Sequence, residues 1–458
     1  MNGCKSMLRL TAAALGGAML TCATLYAADA PIVPGSELSL AQAIQIALKY
    51  HPRHLEAESQ TGSASEQVGV ANANLLPQVL GASEYLGATH NAIGNASFLA
   101  FDGLPRITGT NHGAPNGVAQ GFVPDNNYIA GISVSQYLYD FGRTRGLIDQ
   151  RKAELAGARA RQRVTDLELA FEVAKAYYGL LAAAENVKVY QVATDQRQEH
   201  LHEAEVYARS DLRPQLDVYL TRADLGRAQL ELVRAHNGAD DAKVALDNAM
   251  GLSDLAPAYH LQDQMGSAQI SVGLQQLLDS AFRQRPDLVM LRSEAQAAGA
   301  RITQARSDYF PSAFATGAYS AIGTGTPAVN NYDLGIVLTW PLFNGFATEH
   351  EVAAAKYDQR AVQHAIDDLE QKVILQVKSS YLDWRASVEA IERAHETQEA
   401  AEVALHLAEE RYRTGLGNIV ELEDAQRQST EASAAYVESL YGFAVAKAAV
   451  DYVTGAAP

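Results

Sequence analysis

The chain contains two versions of one unit, and any fold it adopts must accommodate both. Leu40–Tyr85 lies over Leu274–Tyr319 without a gap, placing Pro52 on Pro286, Pro77 on Pro311 and Tyr85 on Tyr319. Asn126–Tyr139 then lies over Asn330–Phe343, with Asn126-Asn127-Tyr128 repeated as Asn330-Asn331-Tyr332 and Gly131 on Gly335. The second offset persists to the ends, where Tyr177 meets Tyr381 and Gly251 meets Gly455. The offsets differ because the segment Ala88–Asp125 is longer than its counterpart. Such a unit is too long for a solenoid repeat, so the duplication predicts two similar bodies side by side.

Within each unit the most demanding segment is a very long helix. Ala347–Thr414 contains no Gly and no Pro and is rich in Ala, Glu, Gln, Lys and Arg, the strong helix formers. Ile366, Leu369, Val373, Val377, Tyr381, Trp384, Val388 and Ile391 recur at threes and fours, a coiled-coil-like seam. Its counterpart runs from about Thr144 to Ala208, and no Pro occurs between Pro124 and Pro214. At 1.5 Å per residue either helix would be on the order of 100 Å long. Each is followed after a short break by another helix, Pro214–Met250 and Ile419–Val453, and short connections make antiparallel neighbours. A soluble bundle has little use for helices several times the usual length, so the length itself implies that something is spanned.

Each long helix is preceded by strands. In Asn330–Leu342, Leu334, Ile336, Leu338, Trp340 and Leu342 fall on one face, with Asp333, Gly335, Val337 and Thr339 on the other. In the first unit Tyr128, Ala130, Ile132 and Val134 alternate with Gly131, Ser133 and Ser135. One apolar and one small or polar face is the period-2 pattern of a membrane barrel strand, and a half-buried soluble strand alternates the same way. The export signal and the aromatics at the strand ends (Tyr128, Tyr139, Tyr332, Trp340) favour the barrel. Leu334, Ile336, Leu338, Ile132 and Val134 are then the lipid-facing residues. The partner strands are Gln78–Leu86 and Ser312–Ile322, each opened by a Pro. Four strands cannot close a barrel, and open edges are not tolerated in lipid. The chain must pool strands with copies of itself.

The N-terminus reads as a secretory signal peptide over 1–30. Lys5 and Arg9 supply the positive start, Leu10–Leu25 is apolar and small, and cleavage is expected after Ala27 or Ala30. The only cysteines, Cys4 and Cys22, lie inside it, so the mature chain has no disulfide and no thiolate metal site. Cys22 is a weak candidate for lipidation, because Leu20 sits one place late in Met19-Leu20-Thr21. The formal net charge of −17 argues against nucleic acid, which needs a basic face. No later stretch approaches the roughly 20 apolar residues of a spanning helix, so membrane entry must use strands. A first repeat is expected over 31–255, with a strand hairpin over 77–139 and a helical hairpin over 144–250. A linker over 256–273 leads to a second repeat over 274–458, with hairpins over 311–343 and 347–453. Short helices precede the strands in both.

With these elements in place, the chain resembles the TolC-type outer-membrane efflux proteins. The residues that carry the likeness are Leu38-Ser39-Leu40-Ala41-Gln42-Ala43-Ile44, Ala47-Leu48 and His51-Pro52; Arg285-Pro286-Asp287-Leu288; and Tyr412-Arg413-Thr414-Gly415 followed by Val420-Glu421-Leu422-Glu423-Asp424-Ala425-Gln426. None is specific alone; in order and in duplicate, across Leu38–Gly455, they are strong. The resemblance implies a mainly α fold with a membrane β-barrel: a homotrimer whose twelve strands form the barrel and whose helical hairpins form an α-barrel. It places the protein in the outer membrane of a Gram-negative bacterium, extending into the periplasm. There it would be the exit duct of a tripartite exporter of small molecules, with a periplasmic adaptor and an inner-membrane pump. The outer duct of a protein-secretion system has the same architecture. A periplasmic coiled-coil protein without a pore is the alternative from another class.

Two turns mark the far ends of the hairpins: Ser210-Asp211-Leu212-Arg213-Pro214 and Thr414-Gly415-Leu416-Gly417-Asn418. Gly415 suits φ > 0 at a helix end, Pro214 suits the first position of the next helix, and Asn418 with Glu421 forms a capping-box pattern. Leu212 and Leu416 are apolar residues at exposed tips, where an adaptor would bury them. The resemblance implies that Glu421 and Asp424 narrow the periplasmic mouth and that Asp217 helps latch it. It also implies an Arg at the position of Gly417, so Arg213 and Arg413 become the candidate substitutes. No catalytic constellation, cofactor motif or metal site is expected. His350-Glu351 and His202-Glu203 lack the second His of a zinc-protease helix, Gly323-Thr324-Gly325 lacks the rest of a phosphate loop, and the twelve His are scattered.

Overall fold

The computed structural model describes residues 35–89, 124–252, 258–263, 272–323 and 329–456. The signal segment, most of the long first loop and most of the linker fall outside them. The element order is β1 (Glu37–Leu38), α1 (Leu40–Tyr50), α2 (Pro52–Ala73), β2 (Gln78–Thr89), β3 (Pro124–Tyr139), α3 (Arg143–Arg209) and α4 (Gln215–Ala249). The second unit repeats it as β4 (His260–Leu261), α5 (Leu274–Gln284), α6 (Pro286–Ser307), β5 (Ser312–Gly323), β6 (Val329–Thr339), α7 (Ala347–Arg413) and α8 (Ile419–Thr454). The two long helices each have 67 residues. Among the described residues no helix is long and apolar enough to cross a membrane.

The helices form a row whose members change along its length. Near the sheet α2 packs on α3, α3 on α6 and α6 on α7; in the other half α4 packs on α3, α3 on α8 and α8 on α7. Two unbroken helices therefore serve both halves, and shorter ones fill the spaces between them. The seam expected on α7 is the buried one. Ile366, Val373, Val377 and Trp384 are buried, and Leu369, Tyr381, Val388 and Ile391 pack half-buried against the same cluster with Leu277, Leu288 and Phe443.

At the waist, where the halves meet, the chain crosses itself. β1 pairs in parallel with β4, joining Leu38 to Leu261. The fully buried Tyr177 hydroxyl lies 2.8 Å from the Leu38 carbonyl oxygen and 2.7 Å from that of Gln262, so one α3 side chain clasps both short strands. Tyr259 adds a 2.7 Å bond from its hydroxyl to the Asp247 carboxylate of α4. The duplication is visible in two glycines. Gly251, just past α4, has φ +73°, and a Cβ there would lie 2.6 Å from His51 Cα; Gly455, just past α8, has φ +82° and would meet Arg285 N at 3.0 Å. In both units the last helix ends in a left-handed glycine against the residue before the helix-opening proline.

The strands form one antiparallel sheet in the order β2-β3-β5-β6. Register places Leu334 opposite Gly317, Gly317 opposite Val134 and Val134 opposite Val79, while Tyr332, Tyr319 and Ile132 line up one step away. Ile336 and Leu338 continue this face, and Leu334, Ile336, Leu338, Ile132 and Val134 are all exposed, Ile336 at 74%. The other face carries Ser135, Thr316 and Gly335 in one row, Ser133, Ala318 and Asp333 in the next, and Gly131, Ser320 and Asn331 in the one after. Thr316 and Ser320 on it are buried. β6 stops at Thr339, short of the expected Leu342. Pro341 has no N–H to give a ladder, and Trp340 instead donates its indole N–H to the Tyr309 carbonyl at 3.1 Å. β2 and β3 run further into their loop than expected, to Thr89 and from Pro124.

Where the sheet joins the helices, aromatic rings gather. Tyr139 meets Phe141 edge-on at 4.7 Å, Phe141 stacks on Phe310 at 5.0 Å, and Phe343 meets Phe346 at 5.5 Å, all of them exposed. Such a girdle suits a membrane–water boundary.

The waist yields a stability prediction. Gly251→Ala forces a left-handed residue with a Cβ, costing about 1–2 kcal/mol, and drives that Cβ into the His51 backbone. Thermal melting of the detergent-solubilised protein should shift down for Gly251→Ala and far less for Gly62→Ala, where a Cβ meets open space in a helix.

Candidate functional site

The far ends of the two helical hairpins meet and form the candidate mouth. In the first tip α3 ends at Arg209, Asp211 turns the chain with φ +56°, and the Leu212 amide closes the turn on the Tyr207 carbonyl at 3.0 Å. Pro214 is the N-cap of α4 and stands outside the helix instead of opening it, because its ψ of 149° is extended. In the second tip α7 ends at Arg413 and Gly415 takes φ +80°. The Asn418 side chain caps α8 by accepting the Glu421 amide at 2.8 Å.

Only half of the expected capping box forms. The Glu421 carboxylate turns away from the Asn418 amide and accepts from Arg411 Nε at 2.8 Å. The amides of Leu416 and Gly417 both donate to the Arg411 carbonyl at 2.8 Å, so this Arg organises the turn from its backbone as well. A Cβ on Gly417 would lie 3.1 Å from Arg411 Cβ and 3.3 Å from Glu421 Oε2. A larger residue at the place where the resemblance called for Arg would require Arg411 and the Glu421 carboxylate to give by a few tenths of an ångström.

Neither candidate substitute pairs with Glu421. Arg413 pairs with Glu410 one turn back, at 2.8 Å. Arg213 does something different: it crosses from the first tip to the second. Its Nη2 donates to the Tyr412 carbonyl at 2.8 Å and to the Gly417 carbonyl at 3.2 Å, and its guanidinium stacks 4.6 Å above the Tyr412 ring. The other predicted acids are placed unequally. Asp424 is exposed and lies 3.4 Å from Arg427. Asp217 is only 7% exposed and sits under Tyr412, whose hydroxyl is 3.4 Å from its Oδ2. Burial first, and then the Asp217 charge, push the Tyr412 phenol up to about 12, so it remains a neutral donor. Ser210, Asp211, Thr414, Gly415 and Asn418 are exposed, as are Leu212 at 70% and Leu416 at 75%.

Four participants were not singled out from the sequence: Arg411, Tyr412, the Arg197–Asp224 pair and Glu423. Arg197 Nε lies 2.8 Å from Asp224 Oδ2 with both side chains less than a tenth exposed, joining α3 to α4 behind the tip. Removing one member of such a buried pair costs about 3–5 kcal/mol, since it strands the other charge. A signal for Glu423 was present: Ile419, Leu422, Glu423 and Gln426 follow the 3-4 spacing of an inward stripe.

Among the described residues no cluster of His, Cys, Asp or Glu is arranged to hold a metal ion. The site contains ion pairs, capped turns and apolar tips, with no nucleophile–base pair.

Comparison with known proteins agrees with this architecture. The family model described as outer membrane efflux protein matches residues 43–252 and 277–456, one match for each repeat. The chain is 23% identical to the outer membrane protein TolC of Vibrio cholerae, over 66% of this chain and 71% of that protein. It is 24% identical to the alkaline protease secretion protein AprF of Pseudomonas aeruginosa, over 72% and 70%. It is likewise 24% identical to the cation efflux system protein CusC of Escherichia coli, over 71% and 72%. A crystal structure of CusC superposes with a TM-score of 0.76, at 15% identity and over 93% and 97% of the two chains. A two-part match spanning nearly the whole described chain, on a fold of this kind, assigns the protein to the outer membrane efflux protein family, as an outer-membrane channel for efflux or secretion and not an enzyme.

Proposed function

We propose that the chain works as a homotrimer, forming a continuous duct through the outer membrane and the periplasm. The observation that carries this is the pair of unfinished edges in one protomer. Among the described residues β2 and β6 each have a strand partner on one side only, and an unpaired backbone group in hydrocarbon costs several kcal/mol. Three copies of the four-stranded sheet give a twelve-stranded closed barrel, well above the smallest size. The apolar face of the sheet then meets lipid and the small, polar face lines the lumen.

The helical row ends in the same unfinished way. α4 and α7 are its outer members in the far half. α4 exposes Leu216, Tyr219, Leu230, Val233 and Val244 along one 3-4 spacing. Ala223 and Gly226 continue that stripe, and the exposed Asn237 and Asp240 interrupt it near its far end. α7 exposes Leu375, Leu382, Val403 and Leu407. Two largely apolar stripes at opposite ends of a row suit each other across a subunit boundary.

In this assembly Glu421 and Asp424 ring the periplasmic mouth, with Asp217 and Arg213 tying the hairpins of each protomer together. The acids act through a partly neutralised ring, because Glu421 carries Arg411 and Asp424 carries Arg427. The exposed tips, Leu212 and Leu416 above all, receive a periplasmic adaptor that connects to an inner-membrane pump. The cargo we assign is small molecules, including toxic compounds and metal ions, a reading supported by the relative named as a cation efflux protein. Protein export is the second reading, and the relative named for alkaline protease secretion favours it. Deleting the gene and measuring both drug and metal tolerance and the secreted proteome separates the two.

Three outcomes test the assembly. Val233→Asp places a charge in the middle of the α4 stripe and should abolish the detergent-stable trimer on semi-native gels while leaving the helical signal in circular dichroism. A persisting trimer would remove α4 from the interface. Ile336→Arg should lower the outer-membrane level strongly, since a cation facing lipid near mid-bilayer costs roughly 2–4 kcal/mol, and Val337→Arg on the other face should lower it much less. Equal levels would reject the assigned faces. Leu416→Asp should leave the trimer intact and abolish export, because it adds an uncompensated charge to the adaptor contact; unchanged export would exclude docking through this turn.

A further inference from the structure

Glu423 occupies a place meant for an apolar side chain. The inward stripe of α8 reads Ile419, Leu422, Glu423, Gln426 and Ser429, and all but Glu423 are buried. Glu423 is half-buried, yet its Oε1 is wholly out of solvent and has no hydrogen-bond partner, and the same is true of Gln426 Nε2 one turn on. The charges around it are mostly of its own sign. α4 presents Asp224 and Asp217 as acids and Arg227 as the one nearby cation, and α8 itself adds Asp424. The remaining groups are already engaged. Arg197 of α3 pairs with Asp224 at 2.8 Å, Tyr412 of α7 points its hydroxyl at Asp217, and Arg227 lies 3.8 Å from Asp224. Direct contact between α4 and α8 is slight, each being held mainly by its own long helix.

We infer that Glu423 is a proton-operated latch of the mouth. Its neutral carboxyl lets α8 rest against α4, and its ionisation sets a third carboxylate against Asp217 and Asp224 and drives the helices apart. The direction of the Glu423 shift agrees: burial, and then Asp224, raise its pKa above the ordinary glutamate value, with Arg227 opposing. In the separated arrangement the group returns towards that ordinary value. The closed arrangement therefore binds the proton more tightly, is fully favoured below the ordinary glutamate pKa, and loses that advantage as pH rises through the raised value. The duct should open as the periplasm becomes less acidic.

The inference rests on the duct reading. It is tested on the full trimer in planar bilayers, recording single-channel conductance from about pH 4, near the ordinary glutamate value, to about pH 8. Wild type should conduct more at the alkaline end. Glu423→Gln keeps the shape and removes the charge, and should hold the low acid-side conductance throughout; Glu423→Asp should restore the pH response. Glu421→Gln, which neutralises the exposed ring position paired with Arg411 and leaves the charges around Glu423 in place, should keep the response. Difference infrared spectra across the same pH range should show a protonated carboxyl band lost towards the alkaline end and absent from Glu423→Gln. A Glu423→Gln channel that follows the wild-type curve, or a response abolished by Glu421→Gln alone, would overturn the latch. Wild-type trimers that insert and never conduct would instead overturn the duct.

Discussion

The sheet edge is the constraint on which the rest of the molecule depends. Among the described residues β2 and β6 have a strand on one side only, so each presents an outer row of backbone groups that no further strand of the sheet meets. In water those groups would be solvated; in hydrocarbon each is a penalty of several kcal/mol, and only closure removes it. In the proposed homotrimer, closure by copies of the chain imposes a rotational axis, and the helices that hang from the strands must follow it. The long helices are therefore walls of the same tube that the strands begin. The duplication serves this geometry, because two similar hairpin pairs per chain spread the strands more evenly around the axis.

A tube of fixed width faces a packing problem along its length. The row solves it by changing partners around two helices that never break. α2 and α6 fill the spaces beside α3 and α7 near the sheet, and α4 and α8 take over the same positions beyond the waist. The waist is where these shorter helices start and stop, and so it is where backbone ends must be satisfied. The Tyr177 clasp, the parallel pair of β1 and β4, and the left-handed Gly251 and Gly455 all act there. Tyr177 holds the two short strands against α3, each glycine lets the last helix of its repeat end against the start of α2 or α6, and the apolar clusters around Tyr177 and Val373 close over them.

Regular elements were legible in the sequence, and contacts between distant turns were not. Helix extent follows from the absence of Gly and Pro and from a seam such as Ile366–Val373–Val377–Trp384, so both long helices were placed to within a residue or so of their ends. The strand faces were legible because period 2 assigns Ile336 and Val337 to opposite sides whatever the tertiary structure. The tip was only partly legible. That Asn418 caps α8 is local, and Gly415 at positive φ is local. The partner of Glu421 is not: Arg411 and Glu421 are ten residues apart in sequence, across a turn whose shape decides whether they meet. Arg213 reaching the Tyr412 and Gly417 carbonyls spans the two repeats, and no spacing rule connects them. The strand ends erred for a simpler reason, since alternation continued through Trp340 and Leu342 while Pro341 lacked the N–H that pairing requires.

The contrast between waist and tip has a physical cause. The waist is closed mainly by two large apolar clusters, with Tyr177 bonded to two backbone carbonyls and Tyr259 to the Asp247 carboxylate. The tip is held by polar means: one stacked guanidinium, a buried Arg–Asp pair and tyrosine–carboxylate contacts, over the small clusters of Leu201–Leu225 and Leu405–Leu422. Surface ion pairs of the Glu421–Arg411 kind are worth at most about 1 kcal/mol each, so the end of each hairpin can be released without disturbing the wall above it. In the proposed duct, this gradient from apolar to polar packing lets the mouth open while the tube stays assembled. Glu423 marks its extreme, where a carboxylate replaces an apolar residue in the stripe that would otherwise have sealed α8 against its neighbours.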